Sequence, residues 1–126
     1  MKNKRPVNLD LHTIKLPITG VASILHRISA VILWVAMSFF LSVLCVSLGS
    51  SEGFDNIEKL VTENFLVQFI IWGFMTAAGY YTMAGLKHIT QELGYFEELE
   101  SGKLISKVAI GLGLVISFLF GVLIWV

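Results

Sequence analysis

ISAVILWVAMSFFLSVLCVSLG, residues 28–49, decides the fold: it is 22 residues long, carries no charge and begins directly after Arg27. As a helix it would cover about 33 Å, and a bilayer hydrocarbon core of about 30 Å needs about 20 residues. Two more runs have the same character, residues 65–86 between Glu63 and Lys87, and residues 108–126 after Lys107. In lipid a segment must satisfy its own backbone N–H and C=O groups, so each run is predicted to be a helix. Buried helices of a soluble bundle would show polar stripes at 3.6-residue spacing, and the second and third runs have no charged stripe.

Composition agrees. The 126 residues are 56% hydrophobic and 14% charged, against about 45–50% and about 25% in soluble domains. Nine Lys and Arg balance nine Asp and Glu. Those figures exclude a disordered chain, a basic nucleic-acid binder and a disulfide-stapled secreted module. Cys45, the single cysteine, lies inside the first run and has no internal partner. The expected fold is an all-α membrane protein: one unit over residues 1–126, a short N-terminal arm and three transmembrane helices, with spans at about 24–49, 65–88 and 106–126. The first run does not read as a signal peptide, having a long positive flank and no small-residue cleavage pattern.

Basic residues near the span ends set the orientation. Lys2, Lys4, Arg5, Lys15 and Arg27 precede the first helix, and Lys87, Lys103 and Lys107 lie between the second and third. Lys59 alone lies in the first loop, residues 50–64, beside Glu52, Asp55, Glu58 and Glu63. The N-terminus and second loop are therefore expected on the cytoplasmic side, with the first loop and the C-terminus facing outward. Pro6 and Pro17 punctuate the arm, Thr19 or Ser23 is expected to start the first helix, and Gly94 and Gly102 to occupy turns or caps.

Chemistry is confined to polar groups at membrane depth, which are costly there and so are functional candidates. Phosphate-loop, Cys/His metal and nucleophile-elbow patterns are all missing from the sequence. Ser23, His26 and Arg27 share one helix face near the boundary. Two readings stand: a snorkelling arginine with interfacial polar filler, or a pocket in which a hydroxyl and a guanidinium hold the oxygens of a lipid-soluble ligand. Along the second helix, Gly73, Ala77, Tyr80, Tyr81, Ala84, Gly85 and His88 fall within an arc of about 140°. That arc is either a close-packing face whose tyrosines find hydrogen-bond partners or one wall of a cavity for a flat cofactor. His12 reads as a solvated residue of the arm. Glu92, Glu97, Glu98 and Glu100 form an acidic patch, a solvated face or a docking edge. A small transporter would need mid-membrane charges or broken paired helices, and neither is visible.

KRPVNLDL (4–11), LPITGVASILHRISAV (16–31), GLKH (85–88) and GYFEE (94–98) together resemble the cytochrome b-type membrane-anchor subunit of succinate dehydrogenase, respiratory complex II. SILHR (23–27) is the most specific block, and with the three spans the resemblance covers essentially the whole chain. It implies a subunit of the bacterial inner membrane that is not catalytic on its own. Its partners would be a second three-helix anchor subunit, an iron–sulfur subunit and a flavoprotein subunit, with FAD and the clusters held by the latter two. Ubiquinone would be the substrate reduced near the cytoplasmic surface. Ser23 and Arg27 match quinone-pocket positions, and His26, Arg27 and His88 match positions near the propionates of a haem b shared with the second anchor subunit. The sequence departs from the pattern at one place. The family's axial haem-ligand histidine stands seven residues before the GLKH histidine, where this chain has Tyr81. Ordinary bis-histidine ligation is therefore expected to be lost or altered. The alternative function is a purely structural or assembly anchor that contacts neither quinone nor haem.

Overall fold

The computed structural model describes residues 15–126. The expectations for Lys2, Lys4, Arg5, Pro6 and His12 lie outside the described residues. Four helices follow one another, α1 (Ile18–Gly49), α2 (Ser51–Glu63), α3 (Phe65–Glu92) and α4 (Leu99–Trp125), with no strand among the described residues. Three of them, α1, α3 and α4, are long and apolar enough to cross a membrane. Each outruns the expected span: α1 starts at Ile18, α3 continues to Glu92 and α4 begins at Leu99. Past the hydrocarbon the helical backbone bonds remain the best available, so charged ends extend a span without ending it.

One expectation is corrected between α1 and α3. Residues 50–64 form no open loop but the helix α2. Ser50 caps it, its hydroxyl accepting from the Gly53 N–H at 2.9 Å, and Glu52 sits in the first turn where the dipole favours an anion. Gly53 lies against the Val46 carbonyl of α1 so closely that a Cβ would collide. The signal was present, since Phe54, Ile57 and Val61 recur at helical spacing. Between α3 and α4, Gly94 takes φ +93° in the turn as expected, and Phe96 also has positive φ at 56°. Gly102 is no cap; it lies within α4, buried.

Small residues make the helix interfaces. The buried positions are Ala22, Ser29 and Ala36 on α1, Ala77, Tyr80, Ala84 and Lys87 on α3, and Gly102, Ser106, Ala109, Gly113 and Ser117 on α4. Spacings of three, four and seven keep each set on one face, and small side chains allow the backbones to approach in a medium without a hydrophobic drive. Large residues such as Trp34, Phe40, Leu48, Phe118 and Leu123 point outward, as lipid allows.

The contacts run antiparallel. Gln91 approaches Gly102, Tyr80 approaches Gly113, and Thr76 and Ser117 share a hydrogen bond of 2.9 Å. Trp72 Nε1 donates to the Ser117 carbonyl at 2.8 Å, and the Trp125 ring lies tilted against Phe65 and Trp72. Similarly, Phe39 of α1 meets Phe74 of α3. The bundle therefore runs up, down, up, with α2 across the end where α1 stops and α3 starts.

A Cβ placed on Gly113 would lie 2.8 Å from the Tyr80 ring, whereas one on Gly111 would meet nothing within 4 Å. Gly113→Val is expected to destabilise the bundle by about 1–3 kcal/mol, and Gly111→Ala to leave it unharmed. Thermal unfolding of the detergent-solubilised protein, read for both variants, checks this.

Candidate functional site

At the end of the bundle away from α2, α1 and α3 bring three rings together. His26 lies in the third turn of α1, and Tyr81 and His88 lie seven residues apart on α3. Seven residues are nearly two helical turns, so one α3 face presents both to the same α1 side chain. The imidazole of His26 stacks on Tyr81 with centroids 4.6 Å apart and planes 11° from parallel. His88 closes on it from the other direction, at 5.1 Å and 60°. Aromatic pairs in such arrangements contribute about 0.5–1.5 kcal/mol beyond area burial.

Beside this cluster, the adjacent Tyr80 points the other way. Its hydroxyl donates to the Ala22 carbonyl of α1 at 2.7 Å, a buried bond, while its ring covers Gly113 of α4. The arc predicted on the second helix thus divides. Ala77, Tyr80 and Ala84 form the packed face, and Tyr81 and His88 turn toward α1. Lys87 belongs to the packed face as well, 6% exposed. Sequence reading placed it as a charge between helices; its position within α3, three residues after Ala84, was the signal for its burial.

Ser23 follows Ala22 on α1 and is half-buried, His26 is half-buried and Arg27 is exposed. The structure brings His26 and His88 into contact and stacks Tyr81 on the same imidazole. Arg27 stands at the outer side of α1, open to whatever packs there.

A groove of about 450 Å³ opens next to Tyr81, lined also by Ala30, Leu33, Trp34, Met37 and Ser38. Its polar side-chain groups are the phenol of Tyr81, the hydroxyl of Ser38 and the indole N–H of Trp34; it has no imidazole. Among the described residues no group of three or more His, Cys, Asp or Glu could hold a metal ion. The lining of this groove itself offers no imidazole to a haem iron. Tyr81 presents a phenol there, its ring face covered by the His26 imidazole.

With this geometry in place, the relatives bear directly on it. Residues 1–120 match the family described as the succinate dehydrogenase/fumarate reductase transmembrane subunit. The chain belongs to that family. It is similar to the "succinate dehydrogenase cytochrome b556 subunit" of Coxiella burnetii, 30% identical over 125 residues that cover 99% of this chain and 100% of that one. It is 31% identical to the "succinate dehydrogenase cytochrome b560 subunit" of Reclinomonas americana, covering 100% of this chain and 88% of that protein. The cytochrome b556 subunit of Paracoccus denitrificans is 29% identical over 118 residues, 94% of this chain and 90% of the relative. Membership in the family makes this chain a membrane component of a complex with other subunits.

Tyr80→Phe keeps the ring over Gly113 and removes the bond to Ala22. It is expected to cost about 0.5–1.5 kcal/mol, read as a lower unfolding temperature with unchanged assembly.

Proposed function

We propose that this chain is the membrane anchor of a succinate:quinone oxidoreductase and that Ser23 and Arg27 form its part of the ubiquinone-reduction site. The observation carrying this reading is their position: a half-buried hydroxyl and an exposed guanidinium one turn apart on α1, at the polar end of the bundle, in a chain of this family. The partners are a second three-helix anchor, an iron–sulfur subunit and a flavoprotein, and succinate oxidation takes place on the last of these. Electrons arrive at the quinone from the iron–sulfur subunit. Ser23 donates a hydrogen bond to one quinone oxygen, and the cation of Arg27 stabilises negative charge that builds on the ring during reduction. The preponderance of basic residues at this end supports a cytoplasmic N-terminus and insertion in the bacterial inner membrane.

The names of the relatives carry cytochrome b, and a haem b between the two anchor subunits is the corresponding expectation for this chain. His26, Arg27 and His88 are the residues that would lie near its propionates. Tyr81 supplies no imidazole, so we infer that low-spin bis-histidine ligation through this position is lost, and quinone reduction is assigned to Ser23 and Arg27 without it. The competing reading, a structural anchor without quinone contact, is favoured by Tyr81 alone.

Arg27→Ala separates the two. In the assembled complex, succinate-to-ubiquinone activity is expected to fall by about 10²-fold, while succinate oxidation by a soluble artificial acceptor stays unchanged. Undiminished quinone reduction in Arg27→Ala would establish the structural reading instead.

A further inference from the structure

We propose that the turn between α3 and α4 docks the iron–sulfur subunit, its apolar tip entering a pocket edged with Lys or Arg on that partner. The inference rests on the anchor reading above and adds the surface and its chemistry. Residues 92–100 hold four carboxylates, four large apolar side chains and no basic residue. Leu93, Tyr95, Phe96 and Leu99 are 71%, 63%, 42% and 68% exposed. Acyl chains do not account for that exposure. Leu93 stands five residues past His88, where the expected span ends, about 7.5 Å further along the axis. At that depth the glutamates would face the negative surface of the leaflet, which repels them. An apolar patch outside the hydrocarbon marks a protein contact.

The tip is held in a shape that folding alone does not favour. Gly94 has φ +93° and Phe96 has φ +56°, the left-handed region that glycine adopts freely and a bulky residue adopts under strain. The end of α3 fixes it: the Gln91 side chain donates to the Phe96 carbonyl at 3.3 Å, and the Tyr95 N–H donates to the Thr90 carbonyl at 3.3 Å. A glycine at position 96 would relax the backbone, so the half-exposed ring is kept for something other than folding. Lys103 pairs with Glu100 at 3.8 Å, and Lys107 lies one turn further along α4. Among the described residues Glu97 and Glu98 make no ion pair and are exposed, which leaves two carboxylates beside the tip for cations of a partner. Ser23 and Arg27 lie at the same end of the bundle. The donor of electrons to a quinone held there must sit over this end, which selects the iron–sulfur subunit as the occupant.

The test is release of succinate oxidation from washed membranes as NaCl is raised, read with a soluble artificial acceptor. Phe96→Gly is expected to insert in wild-type amount, because it relieves the backbone, and to hold the soluble subunits about tenfold less tightly, the loss of one aromatic anchor. Phe96→Tyr keeps a ring and should behave as wild type. Glu97→Lys combined with Glu98→Lys alters exposed side chains alone and is expected to release the activity at lower NaCl. That variant carries the test if Phe96→Gly fails to insert. Release profiles of Phe96→Gly and of the double variant that match wild type would overturn docking at this turn, and are the result expected of a headgroup anchor or a solvated face. Activity that stays on the membranes of cells lacking this chain would instead overturn the anchor reading itself.

Discussion

Tyr80 joins the three spanning helices, and the remainder of the arrangement depends on how it sits. Its ring lies over Gly113 of α4 and its hydroxyl reaches the Ala22 carbonyl of α1. In a membrane interior neither contact gains from water release, so close approach and hydrogen bonding carry the association. Gly113 provides the space and Ala22 the acceptor. With Tyr80 turned inward, helical geometry rotates Tyr81 by about 100°, and that rotation brings it against His26. The packing seam and the aromatic cluster are consequences of one choice of helix face.

The two ends of the bundle carry different chemistry. One end has Ser23, His26, Arg27, Lys87 and His88 within a few turns of α1 and α3. At the other, α2 lies across the mouth of an apolar groove and presents its acidic side outward, with Lys59 as its lone cation. We propose redox chemistry with a lipid-soluble ligand for the first end. The acidic residues after α3 are exposed, the rim of the docking edge proposed for that same end.

Much of this was legible in the residues alone. The three spans follow from uncharged runs, because the length of a hydrocarbon core admits few alternatives. The family followed from SILHR and GYFEE. Other features were not readable. α2 was taken as a loop because its charges outweighed the period of Phe54, Ile57 and Val61. Gly102 was taken as a cap, since a glycine near a helix end signals one until the packing against α3 is known. Lys87 was counted with the loop charges, and only the register of Ala77, Tyr80 and Ala84 shows it to be packed. Tyr81 was recognisable as a departure from the family pattern, but not its partner: stacking on His26 depends on the relative rotation of α1 and α3, which no local pattern encodes.

That stack is the account's central claim, because it holds Tyr81 where the family resemblance leads one to expect a haem-ligating imidazole. The most direct measurement is the dithionite-reduced minus oxidised absorption spectrum of the intact complex, recorded for wild type and for Tyr81→His. The account predicts no sharp low-spin b-type band in wild type, alongside intact electron transfer from succinate to quinone, and the appearance of that band in Tyr81→His. A stoichiometric low-spin band in wild type, unchanged by the substitution, would contradict it and would mean that an imidazole from elsewhere reaches the iron.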